Sequence, residues 1–201
     1  YMDLATSLQQ EDWALRKQIH DSGKNLIMVL PQGPYKAADI GGGKLEDPGG
    51  LRRLVIEVLE KLKQEGKTTS LKTGRIVLSG HSAGYRVMSF CLEHGGMENH
   101  IREVYLLDGC HDRFDRFALW AGRNRQARLL SIFTDGLAWQ HVSMMLQMQE
   151  LKVPVELVAE GKVTDEMLRR KRALLMFTND THHNTALRLG KYVRTSGFEE
   201  R

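Results

Sequence analysis

Arg75-Ile76-Val77-Leu78-Ser79-Gly80-His81-Ser82-Ala83-Gly84-Tyr85-Arg86-Val87-Met88 runs from a β-branched and aliphatic stretch, through two glycines that bracket a serine, into apolar residues at helical spacing, Val87, Phe90 and Cys91. The stretch predicts strand, sharp turn and helix. Its pattern is G-x-S-x-G, in which the serine sits at the tip of a strained turn with its hydroxyl held clear of a sheet. Gly80 and Gly84 are expected to let strand and helix pass closely, because neither carries a Cβ. His81, next to Ser82 on so tight a turn, is expected to point away from it.

The same grammar of buried strand and amphipathic helix extends in both directions. Upstream, Trp13, Leu15 and Ile19 on a charged background predict a helix over 9–22, stopped by Gly23. Residues 25–31, with the core Leu26-Ile27-Met28-Val29-Leu30, read as a buried strand that ends at Gln32-Gly33-Pro34, and the glycine loop Gly41-Gly42-Gly43 follows at the same end of the sheet. Asp47-Pro48 opens a helix whose apolar face is Leu51, Leu54, Val55, Val58, Leu59 and Leu62, running to Gly66. Downstream, strands are predicted over 103–107, 129–133 and 173–177, and 153–158 fits either a short edge strand or a loop. Helices are predicted near 114–120, 142–151 and 186–194. Each strand is a near-continuous apolar run, so the fold class is α/β: one domain over 1–201, a three-layer sandwich with a mostly parallel sheet covered on both faces.

A length of 201 residues with 41% apolar and 27% charged residues suits a single globular domain with a sizeable core. No apolar run approaches the ~20 residues of a membrane span. The net charge of +4 is mild, and the densest basic run, Arg169-Arg170-Lys171-Arg172, follows Thr164-Asp165-Glu166 on a short helix. Acid first and base last is what the helix dipole favours, so the run reads as a solvated helix end and no nucleic-acid partner is expected. Cys91 and Cys110 are expected to be free thiols. His111-Asp112 lacks a second ligand pair at suitable spacing, so no metal and no other cofactor is expected. The compartment stays open, with the cytoplasm as the default.

Ligands of a parallel sheet bind at the carboxyl ends of its strands. Ser82, Asp108, Asp135, Asp180, His182 and His183 all fall at those ends. A serine hydroxyl becomes a nucleophile only when a base takes its proton, and the base needs a third group to fix its tautomer and offset its charge. The order Ser, Asp, His is available here.

On Gly80-His81-Ser82-Ala83-Gly84 and this order, nearly the whole chain resembles the α/β-hydrolase superfamily. The resemblance implies a serine hydrolase of the esterase or lipase kind, acting on a small-molecule ester or related acyl bond through an acyl-enzyme. Peptidase, thioesterase and acyltransferase chemistry share that machinery. Carried over residue by residue, Ser82 becomes the nucleophile and the Ala83 N–H an oxyanion donor. The base falls at His183, which directly precedes the last helix, with His182 as the other candidate. The acid falls at Asp135, the usual family place, or at Asp108, the place used in some lipases; Asp180 lies too near the histidine in sequence and reads as a turn residue. Trp139, Met144, Met145 and Met148 would line a pocket or fill the core. In this family the second oxyanion donor follows an early strand. Counting back from the elbow, Leu26–Leu30 matches the strand just before it, so the earlier strands would lie upstream of Tyr1, and an N-terminally truncated domain would expose a face for a partner chain or an absent segment. A non-catalytic binding domain on the same scaffold is the alternative reading.

Overall fold

Five runs of sequence carry apolar residues on both sides of the extended chain, and only a sheet covered on both faces buries them all. They form β1 (Ile76–His81), β2 (Ile101–Leu107), β3 (Arg128–Phe133), β4 (Val155–Ala159) and β5 (Ala173–Phe177). All are parallel, in the spatial order β1-β2-β3-β5-β4. The helices are α1 (Leu15–Asp21), α2 (Gly50–Gln64), α3 (Gly84–His94), α4 (Phe114–Arg123), α5 (Ala138–Glu150), α6 (Asp165–Arg170) and α7 (Leu189–Arg194). This computed structural model describes residues 13–34 and 39–201, so the predicted start of the first helix at Gln9 lies outside the described residues. The expected α/β class and layered architecture are those observed. No helix among the described residues is long and apolar enough to cross a membrane.

The side-chain alternation of the strands divides the core in two. Val104 and Leu106 of β2, Leu129 and Phe133 of β3 and Leu175 of β5 face Leu51, Met88, Phe117, Met144 and Met148 from helices α2 to α5. Tyr105, Leu107, Leu130, Ile132, Leu174 and Met176 face the other way, against Leu168 of α6 and Tyr192 and Val193 of α7, with Ile19 of α1 at the margin. Residues 153–158, ambiguous in sequence, resolve into edge strand β4 on the outer side of β5. The apolar face predicted for α2 is the face it turns inward, and Gly66 ends the helix with a left-handed φ of +67°.

One predicted strand does not form. Residues 25–34 have no regular secondary structure and join no ladder, although Leu26 packs against the second core cluster. Ile27 and Val29 remain 59% and 42% exposed. Extended backbone becomes a strand only when a neighbour satisfies its N–H and C=O groups, and among the described residues β2 is the one strand that pairs with β1. Just before this segment Lys24 bridges to Glu200, and the Asn25 N–H donates to the Glu199 carbonyl at 2.8 Å.

Within the core, His141 of α5 stacks on Phe133 with ring centroids 3.9 Å apart. Its Nδ1 bonds the Leu137 carbonyl at 2.9 Å, and its Nε2 lies 2.7 Å from the Ser131 hydroxyl. A carbonyl only accepts, so Nδ1 carries the proton and Nε2 accepts from Ser131, which is the neutral imidazole. Burial pushes its pKa down to about 4. Ser131 and His141 are a serine–histidine pair with no route to solvent, and hence a structural one. Because the unfolded chain protonates this ring near pH 6.5 and the folded one near 4, acid favours unfolding in that window. Stability is expected to fall by up to about 3 kcal/mol between pH 6.5 and 4 and to be flatter in His141→Gln, as read from urea unfolding midpoints across that range.

Candidate active site

Ser82 directly follows β1 and Ala83 caps α3, so the chain reverses direction within two residues. Ser82 has φ +53°, a left-handed conformation that side-chain-bearing residues adopt only when their surroundings impose it, at a cost of roughly 1–3 kcal/mol. The Ser82 N–H donates to the Leu107 carbonyl at 3.3 Å. A Cβ on Gly80 would come within 2.5 Å of Met88 Sδ, whereas one on Gly84 would meet open space, so the close approach expected of both glycines is required only of Gly80. Gly109 is the second tight position: a Cβ there would lie 2.9 Å from the Ser82 carbonyl oxygen and 3.1 Å from the Ser82 nitrogen. Ala83 is the N-cap of α3, ahead of the intrahelical ladder, and its N–H has no hydrogen-bond partner among the described residues.

Asp108, immediately after β2, is buried and also left-handed at φ +49°. Burying a carboxylate demands partners. Its Oδ1 accepts from the Thr134 N–H at 2.8 Å, and its Oδ2 accepts from the Thr134 hydroxyl at 2.9 Å and lies 2.6 Å from His182 Nδ1. With Nδ1 held by the carboxylate, Nε2 is left free to exchange a proton. The His182 side chain is 44% exposed, open to an incoming molecule.

The His182 backbone is fixed as firmly as its ring. Its carbonyl accepts from the Thr185 hydroxyl at 2.8 Å and from His81 Nε2 at 2.9 Å. Burial lowers the His81 pKa below the usual histidine range, partly offset by that carbonyl, and because a carbonyl only accepts, Nε2 is the donor in this bond. His81 and His182 rings lie 4.5 Å apart, so His81 packs directly against the ring whose backbone it holds. Further along the loop, Arg188 joins Glu160 at 2.6 Å and Asp180 at 2.8 Å, and the Thr178 hydroxyl donates to Glu160 at 2.6 Å. Asp180 also accepts from Asn184 Nδ2 and from the Thr181 N–H, which draws its carboxyl below the ordinary range and makes it the loop's turn residue.

The structure thus brings Asp108 and His182 together and leaves His183 and Asp135 apart from them. The His183 ring is 5.1 Å from the ring of Trp13, whose indole donates to the His183 carbonyl at 3.1 Å. Asp135 is exposed at the start of a 3-10 turn over Asp135–Leu137, where its carbonyl accepts from the Ala138 N–H, and its carboxylate has no hydrogen bond among the described residues. Of the two histidines and two aspartates weighed in sequence, the pair in contact is His182 and Asp108, not the favoured His183 and Asp135. Thr134 and His81 are partners that the sequence reading did not find. Ser82 Oγ has no hydrogen-bond partner among the described residues, so proton transfer to His182 would need the serine and imidazole to close up, as such pairs do when substrate binds.

The surroundings narrow the chemistry further. Cys91 and Cys110 are free and buried, with thiol pKa values pushed up by burial to about 11 and about 12, which makes them poor nucleophiles. Met144 and Met148 are core residues, Met145 packs partly against the core, and Trp139 is 68% exposed with its ring edge-on to Phe114. The glycine loop is clamped onto α3: the Gly42 N–H donates to Glu46, and Glu46 pairs with Arg86 at 2.9 and 3.0 Å. A Cβ on Gly42 would collide with Val87. Among the described residues no group of three or more His, Cys, Asp or Glu side chains is placed to hold a metal ion.

Searches of protein-family models, curated proteins and solved structures return no significant match to this chain. Geometry therefore carries the reading. Since Gly109 seats the elbow backbone, Gly109→Ala is expected to destabilise the fold by about 2–3 kcal/mol, checked by chemical denaturation, whereas Gly84→Ala, facing open space, is expected to change stability by less than about 1 kcal/mol.

Proposed function

We propose that this protein is a serine hydrolase of the α/β-hydrolase kind, cleaving an ester or related acyl bond of a small molecule with Ser82 as nucleophile, His182 as base and Asp108 as acid. The observation that carries the reading is the 2.6 Å contact between a buried carboxylate and a solvent-accessible imidazole at the rim where a left-handed serine joins strand to helix. Three different loops supply the three groups, and the carboxylate is buried at a desolvation cost while the imidazole it holds stays open to solvent.

In this reading the Ser82 hydroxyl gives its proton to His182 Nε2 as Oγ attacks the acyl carbon. The developing oxyanion is met by the Ala83 N–H. Asp108 stays ionised and steadies the imidazolium. The imidazolium then protonates the departing alkoxide, leaving an ester between the acyl group and Ser82 Oγ. A water that loses its proton to His182 attacks that ester, the acid departs, and Ser82 regains its hydrogen.

A fluorophosphonate probe tests the reading directly. Labelling is expected on Ser82, absent in Ser82→Ala, and strongly slowed in His182→Ala. On an activated ester, Asp108→Asn is expected to lower kcat by about 10³–10⁴, while Asp135→Asn and His183→Ala stay within about threefold of the parent. Labelling that persists in Ser82→Ala, or equal modest losses at Asp108 and Asp135, would remove the assignment; ligand binding without any turnover would favour the non-catalytic alternative.

A further inference from the structure

A cavity of about 460 Å³ lies at the opposite pole of the sheet, at the amino ends of the strands. Arg75 directly precedes β1, Glu103 is the third residue of β2, Arg128 opens β3 and Arg172 directly precedes β5. Eight of its fourteen lining residues are lysine or arginine, and Glu103 is the one acid among them. The basic run 169–172, which in sequence reads as a solvated helix end, forms one wall. The others come from segments up to a hundred residues or more away in the chain.

The charge is only partly neutralised. Glu103, buried, accepts from both Arg75 and Arg128, so one carboxylate serves two guanidinium groups. Lys24 pairs with Glu200, Lys171 with Glu156 and Arg170 with Glu166. Arg172 is held by the neutral carbonyls of Ala121 and Asn124 at 2.7 and 2.9 Å, and its Nε is buried without a hydrogen-bond partner. Arg125 and Arg169 have no ion-pair partner among the described residues. Four positive charges are thus left over around one concavity. Clustering them costs self-repulsion, which an anion would relieve.

We propose that this pole binds a small anion carrying two or more clustered phosphate groups, gripped chiefly by Arg125, Arg169 and Arg172. Guanidinium forks suit phosphate oxygens. The cavity has the volume of a small-molecule site, and no aromatic side chain lines it, so it offers no platform on which a nucleic-acid base would stack. The β1 strand sets it roughly 20 Å from Ser82, so the anion would not occupy the site of acyl chemistry. The proposal stands independently of that chemistry.

Calorimetric titration of the full chain with tripolyphosphate tests it, with inorganic phosphate and sulfate for comparison. Tripolyphosphate is expected to bind at least tenfold more tightly than either single-centre anion and to weaken as salt rises. Arg125→Ala and Arg169→Ala, both exposed and unpaired, are each expected to weaken it roughly tenfold without lowering Tm, while Lys61→Ala on α2 and Ser82→Ala leave it unchanged. Binding that ignores both arginine substitutions, or no preference for tripolyphosphate over sulfate, overturns the proposal. Co-sedimentation with phosphatidylcholine vesicles containing a multiply phosphorylated phosphoinositide, lost in the same variants, would support it with a lipid headgroup as the source. Tighter, arginine-dependent binding of a duplex oligonucleotide than of tripolyphosphate would overturn it in favour of a nucleic-acid surface.

Discussion

A carboxylate taken out of water must recover in hydrogen bonds what it loses in hydration. Asp108 does so through the Thr134 N–H, the Thr134 hydroxyl and the His182 ring, so its partners come from two distant parts of the chain. The requirement ties the end of β2 to the end of β3 and to the loop after β5. It fixes the left-handed backbone at Asp108, and through Gly109 it brings that backbone against the equally left-handed Ser82. Strain at two adjacent loop tips is therefore paired with one fully bonded acid.

The strand order makes this possible. Because β5 lies inside β4 and beside β3, the loop that follows it emerges two strand spacings, about 10 Å, from the end of β2. A histidine side chain from that loop can bridge back across the end of β3 to reach Asp108. The Arg188–Glu160–Asp180 network and the His81 contact hold the loop in place, so the ring is steadied from its backbone as well as from its Nδ1. Asp135 starts nearer to β5, yet the chain turns at once into a 3-10 segment and α5, which carries that side chain out to solvent.

The two poles of the sheet differ in electrostatic character for a topological reason. At the carboxyl ends, the strands deliver serine, histidine and aspartate, and the nearby Arg188 and Arg86 are paired with Glu160, Asp180 and Glu46. At the amino ends, the residues that enter the strands are Arg75, Arg128 and Arg172, and the end of α6 adds its own basic run. Parallel strands repeat the same polarity, so every entry loop adds to one pole and every exit loop to the other.

Composition and periodicity in the linear chain were enough to establish the α/β class, the parallel sheet, most element positions and Ser82 on its turn, since these depend on apolar spacing and local backbone chemistry. Strand formation at 25–31 was beyond them, because an apolar alternation states which side would be buried but not whether a neighbour exists to complete the ladder. The choices between Asp108 and Asp135 and between His182 and His183 were equally out of reach: both aspartates precede glycine after a strand, and the histidines are adjacent. Only the packed structure separates them, where Thr134 claims the Asp108 carboxylate and Trp13, some 170 residues earlier, claims the neighbourhood of His183. The basic cavity belongs to the same class, for its cations are scattered from Lys24 to Arg172 and become one feature only when parallel strands gather their amino ends.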